Sequence, residues 1–246
     1  MSDVPVALIT GAARRVGAAI AKTLHGEGYR IVVHYQHSSA QAQTLVAQFN
    51  EVRENSAVAL AADLLCHESL QQLASQALAA WQRIDVLVNN ASSFYATPLG
   101  ATTESNWNDL LGTNLKAPYF LSQALHLELK KYSGCIVNIS DIFAQRPRMH
   151  YSAYCIAKAG NDMLTQSLAL ELAPDVRVNG VAPGAVMWPE NDKGQAIENT
   201  EMLKDIPLAR LGGEQVIAKA VRYLVLEAPY TTGQILRVDG GRSLRQ

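Results

Sequence analysis

The chain has 246 residues, 48% of them hydrophobic and 17% charged, with a formal net charge of −1. That balance allows a large apolar core and argues against a partner held by a basic field, whether nucleic acid or an anionic membrane surface. Cys66, Cys135 and Cys155 lack C-x-x-C spacing, so no zinc site and no disulfide frame is expected. No basic leader and no bilayer-length apolar run is present, which points to a cytoplasmic protein. No Pro/Gly/Ser-rich linker interrupts 1–246, so a single domain is expected.

In chain order, Val4 to Thr10 is a compact apolar run of buried-strand type. Thr10 to Gly17 reads T-G-A-A-R-R-V-G and leads into an Ala-rich helical pattern, Ala18 to Gly28. A strand, a small-residue turn and a helix N-terminus make a seat for phosphate, because free backbone N–H groups and the helix dipole face the anion. Gly11 permits the tight turn and Gly17 the close approach of helix and strand. A second strand, Ile31 to Tyr35, ends in H-Y-Q-H-S-S with no carboxylate to hold a ribose 2′-hydroxyl. Arg14 and Arg15 stand in the turn instead, which favours a 2′-phosphate and hence NADPH. Ser38 is either another phosphate donor or the N-cap of a helix over Ala40 to Arg53.

A third strand, Ala57 to Ala61, runs to Asp63 and Leu64. Asp63 either caps a helix over Ser69 to Trp81 or accepts from an adenine amino group. The fourth strand, Ile84 to Val88, opens into N-N-A-S-S-F-Y, where small and amide residues admit a flat ligand and Phe94 offers an aromatic face. A long helical segment, Glu104 to Lys131, contains Asn114, which needs a backbone or water partner if buried. A strand over Ile136 to Ile139 and a helix over Ser152 to Leu172 follow. The sixth strand, Val176 to Val181, leaves through Pro183 and Gly184. Residues 185–209 read as a substrate loop, including the stretch M-W-P-E-N-D from Met187. A helix over Ala209 to Leu226 and a strand over Gln234 to Val238 complete the chain. Strand and helix alternate throughout, which predicts one doubly wound parallel sheet of about seven strands with helices on both faces.

Tyr154 and Lys158 are four residues apart and share a helix face. At an effective dielectric of ~20 and ~5 Å, the ammonium would favour the phenolate by roughly 3 kcal/mol, about two pKa units. That would suit a general acid. Asp141 stands at the end of the preceding strand, thirteen positions before Tyr154.

These marks, in this order, resemble the short-chain dehydrogenase/reductase superfamily over essentially the whole chain. The resemblance implies a Rossmann fold, a nicotinamide cofactor and a homotetramer. It makes Tyr154 the proton donor, Lys158 the ribose ligand that lowers the phenol pKa, and Asn114 the holder of a relay water. Cofactor contacts are then expected from Gly11, Arg14, Arg15, Val16, His34, Tyr35, Ser38, Asp63, Leu64, Asn90, Ala91, Ser92, Ile139, Lys158, Pro183, Gly184 and Val186.

Two departures sharpen the resemblance. Arg15 replaces the middle glycine of T-G-x-x-x-G-x-G, and Asp141 replaces the usual serine. Both look like the pteridine reductase branch, as do His34-Tyr35, the Asn90 to Tyr95 segment and the G-G-R-S-L-R ending, which is similar to dihydromonapterin reductases. That branch implies reduction of 7,8-dihydropterins, with dihydromonapterin, dihydrobiopterin or dihydrofolate as substrate. Ser92, Phe94, Asp141, Tyr151 and Tyr154 would border the pterin, and Arg245 would reach a neighbouring subunit's site.

Chemistry points the same way. A carboxylate cannot donate to a ketone oxygen and repels a developing alkoxide. An Asp141 kept protonated by burial could instead protonate pterin N5. The alternatives are a carbonyl or 3-oxoacyl thioester reductase, and a non-catalytic NADP(H)-binding regulator.

Overall fold

The computed structural model describes residues 4–188 and 196–245. Seven strands, β1 (Val6–Ile9), β2 (Arg30–Tyr35), β3 (Ala57–Ala61), β4 (Val86–Asn89), β5 (Cys135–Ile139), β6 (Arg177–Pro183) and β7 (Ile235–Val238), form one sheet in the order β3-β2-β1-β4-β5-β6-β7. Every pairing is parallel. The helices are α1 (Arg15–Gly26), α2 (Ser39–Val52), α3 (His67–Trp81), α4 (Glu104–Leu111), α5 (Ala117–Lys131), α6 (Ser152–Glu171) and α7 (Glu214–Leu226).

Strand alternation divides the core. Ala7 and Ile9 of β1 face Ile20 and Leu24 of α1 and Val221 of α7. Val6 and Leu8 face Leu70 and Leu73 of α3, Leu121 of α5 and Leu164 of α6. Both faces of β1 are buried, which is why it reads as an unbroken apolar run. Among the described residues, no helix is long and apolar enough to cross a membrane.

Most element boundaries fall within a few residues of the sequence reading. The expected helix over Glu104 to Lys131 is interrupted by a π-helical turn at Gly112–Lys116. There the chain must pass Leu65: a Cβ on Gly112 would lie 2.4 Å from Leu65 Cδ2. The last helix begins at Glu214, not at Ala209, because Gly213 takes φ +78° as its N-cap. Of the expected substrate loop, 189–195 lie outside the described residues, and Thr200–Asp205 form a short 3-10 turn.

Strand order reverses at β1, which pairs with both β2 and β4. A crevice therefore opens beyond the carboxyl ends of β1 and β4, where chains diverge to opposite sides of the sheet.

Candidate active site

The crevice is a cavity of about 580 Å³, lined by the turn after β1, the exits of β4 and β5, and Tyr154 and Lys158 of α6. At the end formed by the turn after β1, Gly11 takes φ +61°. A Cβ on Gly17 would lie 2.2 Å from Gly11 O and 2.6 Å from Asn90 Nδ2. Glycine at 17 thus lets α1 start packed directly against the turn. The Asn90 side chain holds this turn: its Nδ2 donates to Thr10 O at 2.8 Å and Gly11 O at 3.1 Å.

His34 supports the same turn from below. Its Nδ1 accepts from Gly11 N at 3.0 Å, and its Nε2 donates to Ala62 O at 3.2 Å. These bonds require the neutral ring, and burial lowers its pKa to about 4. The folded pKa lies below the unfolded one, so His34 stabilises the fold above its unfolded pKa near 6.5 and that stabilisation is lost as pH falls toward 4. Between pH 7 and pH 5 the loss is about 2 kcal/mol. Urea unfolding of the wild type and His34→Asn should differ by that amount in their pH dependence. Parallel curves for the two proteins would remove His34 from the account.

Arg15 takes φ +51°, the backbone conformation of the glycine it replaces. Its Nη2 donates to Trp188 O at 2.8 Å, and it lines the cavity with Arg14. Holding a residue with a Cβ there costs about 1–2 kcal/mol, so a cation at this point has a use other than stability. Arg15→Gly should leave the melting temperature nearly unchanged, raise the NADPH KM by about tenfold, and leave the NADH KM within about twofold. Equal losses with both cofactors would rule out a phosphate contact.

The chemical end is built by α6 and the exit of β5. Tyr154 Oη donates to Asp141 Oδ2 at 2.8 Å, and Asp141 Oδ1 accepts from Phe143 N at 2.8 Å. Asp141 therefore faces the phenol and also caps the 3-10 turn Ile142–Ala144. Burial raises the Asp141 pKa. Lys158 Nζ donates to Ile139 O at 2.8 Å, and burial lowers its pKa to about 8.

The expected depression of the Tyr154 pKa is corrected. Burial and the adjacent Asp141 carboxylate hold the phenol well above its ordinary value. Lys158 Nζ lies 5.7 Å from the phenol ring centroid, turned to the Ile139 carbonyl.

Other expected residues are placed differently from the sequence reading. Asn114 is 1% exposed and lies beneath the cavity, not on its wall. Its Nδ2 donates to Leu110 O and Ser93 O, its Oδ1 accepts from Ser92 Oγ at 2.7 Å, and its carbonyl accepts from Asn161 Nδ2 at 2.9 Å. Protein groups thus hold both the side chain and the carbonyl of Asn114. Phe94 and Tyr151 do not line the cavity; their rings stack at 4.8 Å, and Phe94 meets Tyr154 edge-on at 4.7 Å.

Tyr35 and Ser38 also stand off the wall, and Ser38 occupies the N-cap position of α2 without a side-chain cap bond. Asp63 lines the cavity but does not cap α3, whose N-cap is Cys66; its Oδ1 accepts from Leu65 N and Gln36 Nε2. Arg245 donates to Lys204 O within its own chain. Gly11, Arg14, Arg15, Val16, His34, Asp63, Leu64, Asn90, Ala91, Ser92, Ile139, Lys158, Pro183, Gly184 and Val186 do gather on the one wall.

Sequence reasoning missed Asp162. It lies four residues after Lys158, and that spacing, read on from the Tyr-Lys pair, was the available signal. Its Oδ1 accepts from Ser140 Oγ.

Residues 11–243 match a family model described as enoyl-(acyl carrier protein) reductase. The chain is 37% identical to pteridine reductase 1 of Leishmania tarentolae over 98% of its length and 96% of that relative. It is 36% identical to a 3-oxoacyl-[acyl-carrier-protein] reductase of Synechocystis over 96% of each. It is 35% identical to a putative ketoacyl reductase of granaticin polyketide synthase from Streptomyces violaceoruber, over 98% of this chain and 97% of the relative. Sheet order, glycine turn, Tyr154-Lys158 pair and these matches agree: the chain belongs to the short-chain dehydrogenase/reductase family of NAD(P)H-using oxidoreductases.

Proposed function

We propose that the protein is an NADPH-dependent reductase of 7,8-dihydropterins. The observation that carries this reading is the 2.8 Å bond from Tyr154 Oη to Asp141 Oδ2 at the cavity wall. A carboxyl group with a raised pKa can deliver a proton to an imine nitrogen. As a carboxylate it would oppose the alkoxide of a ketone reduction.

The glycine turn, Arg14 and Arg15 fit the phosphates of NADPH, and Lys158 fits its ribose hydroxyls. When bound, NADPH supplies the hydride, which goes to C6 of the C6=N5 bond. Asp141 Oδ2 delivers the proton to N5, and the Tyr154 hydroxyl re-supplies Asp141 from solvent. The product is the tetrahydropterin, with both electrons drawn from the nicotinamide. Lys158 keeps a positive charge beside Asp141, which balances the carboxylate left after proton delivery. Arg242 adds a second positive charge near Asp141.

Phe94 and Tyr151 belong to this reading as the aromatic side of a pterin slot. Stacked on each other, they would have to part, or offer the exposed face of Phe94. A homotetramer in the cytoplasm completes the reading. Ile156, Met163 and Leu170 are exposed at seven-residue spacing on α6, a stripe such an assembly would cover. Arg245 would enter a neighbouring site only there.

The second reading is a 3-oxoacyl thioester reductase, favoured by the relatives that carry that name. NADPH oxidation with dihydromonapterin, dihydrobiopterin, dihydrofolate, biopterin and a 3-oxoacyl thioester separates the two. Turnover of a dihydropterin well above the thioester is expected; the reverse order overturns the proposal.

A further inference from the structure

Three side chains at four-residue spacing on one face of α6 hold three consecutive residues at the exit of β5. Tyr154 Oη bonds Asp141 Oδ2 at 2.8 Å, and Lys158 Nζ bonds Ile139 O at 2.8 Å. Asp162 Oδ1 takes the hydroxyl of Ser140, the residue between them. The backbone N of Ser140 is held by Val181 O at 2.8 Å, so the hydroxyl bond fixes the remaining freedom of that residue. The clasp continues outward. Gln145 Nε2 donates to Asp162 Oδ2 at 3.4 Å, and Arg237 of β7 donates to Gln145 Oε1.

Asp162 is 7% exposed and Lys158 is 2% exposed. A carboxylate and an ammonium one helical turn apart in such surroundings interact strongly, because water screens them poorly. Lys158 thus stands between two acids, Asp141 ahead of it and Asp162 behind. The other groups facing this set are Arg237, which acts on Asp162, Arg242, which acts on Asp141, and the Tyr154 phenol. Both acids act to keep Lys158 charged, against burial, which acts to neutralise it.

We propose that Asp162 is a positioning residue of the reduction: it clamps Ser140, so that Asp141 and the Ile139 carbonyl are aimed at Tyr154 and Lys158, and it holds Lys158 in its ammonium form. The proposal rests on the reading of Asp141, Tyr154 and Lys158 as the reacting group. A hydrogen-bonding anchor alone could be an amide. The charge is needed because loss of the ammonium leaves Asp141 without its counter-charge.

The test separates anchor from charge. Asp162→Asn keeps an acceptor for Ser140 and removes the charge. NADPH affinity, followed by cofactor fluorescence between pH 6.5 and 9.5, needs no pterin and so is independent of substrate identity. Wild-type affinity is expected to weaken about fivefold as pH rises through the Lys158 pKa of about 8. In Asp162→Asn the midpoint should fall by about one pH unit. The basic limb of kcat/KM, on whichever substrate is reduced, should move with it. A midpoint shared by both proteins, or a wild-type affinity flat across the range, overturns the charge role.

Ser140→Ala tests the clamp and guards against an Asn variant that does not fold. A drop in kcat of about tenfold, with NADPH affinity at pH 7 within about twofold, is expected. Unchanged kcat overturns the clamp. If no substrate is reduced by the wild type, the proposed function fails, while the fluorescence midpoints still decide the charge role of Asp162.

Discussion

Asp141→Asn is expected to lower dihydropterin turnover by about 10²–10³-fold, the usual contribution of a positioned general acid. NADPH affinity should stay within about threefold, because the amide oxygen can still accept from Phe143 N while the amide NH2 donates to the Tyr154 hydroxyl, so the loop keeps its shape. Burial raises the Asp141 pKa, so the acid is held protonated to a higher pH than an ordinary carboxyl. Wild-type kcat should therefore fall as pH climbs through that raised value, and this limb should vanish in Asp141→Asn. Asp141→Ser restores a hydroxyl donor and should gain turnover of a 3-oxoacyl thioester while dihydropterin turnover stays low. Stopped-flow traces of NADPH oxidation read all three. Full dihydropterin turnover by Asp141→Asn would end the role of Asp141 as acid.

Gly17→Ala is expected to abolish cofactor binding, with an NADPH Kd raised by about 100-fold or more. The added Cβ would lie 2.2 Å from Gly11 O, 2.6 Å from Asn90 Nδ2 and 2.9 Å from Ala12 Cα. None of these can swing aside: two are backbone, and Asn90 Nδ2 is tied to the turn by its own bonds. Relief requires opening the turn that, in the proposed reading, would cradle the phosphates. Overpacking of this kind costs about 1–3 kcal/mol, a fall of several degrees in Tm. Gly26→Ala is the control, since nothing lies within 4 Å of its Cβ position. Calorimetry and fluorescence titration of the two variants would show the contrast. A Gly17→Ala protein that binds NADPH normally would contradict the packing of the turn.

Much of this was legible in the chain. Continuous apolar runs such as Val6 to Ile9 identify strands buried on both faces, because only such strands lack alternation. The glycine turn, the missing acid after β2 and the Tyr154-Lys158 spacing carry local chemistry in local sequence. Arg15 was legible as a cation but not as a residue in the left-handed region, since φ there is imposed by the turn around it. The π-helical turn at Gly112–Lys116 was not legible, because local spacing does not mark it, and the close contact of Gly112 with Leu65 is made only in the fold.

The Tyr154 phenol shows the limit most clearly. Read as an isolated pair with Lys158, it should be acidified. In the folded chain the ammonium is held by the Ile139 carbonyl, Asp141 is the nearer charge, and burial acts on the phenol directly. A residue's pKa sums every charge and the solvent around it, and sequence spacing supplies only one member of that sum. Phe94 follows the same logic: its aromatic character is in the sequence, but its partner Tyr151 is set by the fold.

By itself, then, the sequence determined the alternation of strands and helices, the glycine turn with its two arginines, and the unusual acid thirteen residues before the tyrosine. The tertiary structure decided which groups those residues meet. It put Asp141 against the phenol, brought Asp162 behind Lys158 through Ser140, and tied the side chains of Asn90 and Asn114 into the walls around the site. The physical reason is that periodicity and turn chemistry act over a few neighbouring residues, whereas burial and charge act through space, between segments the sheet order brings together.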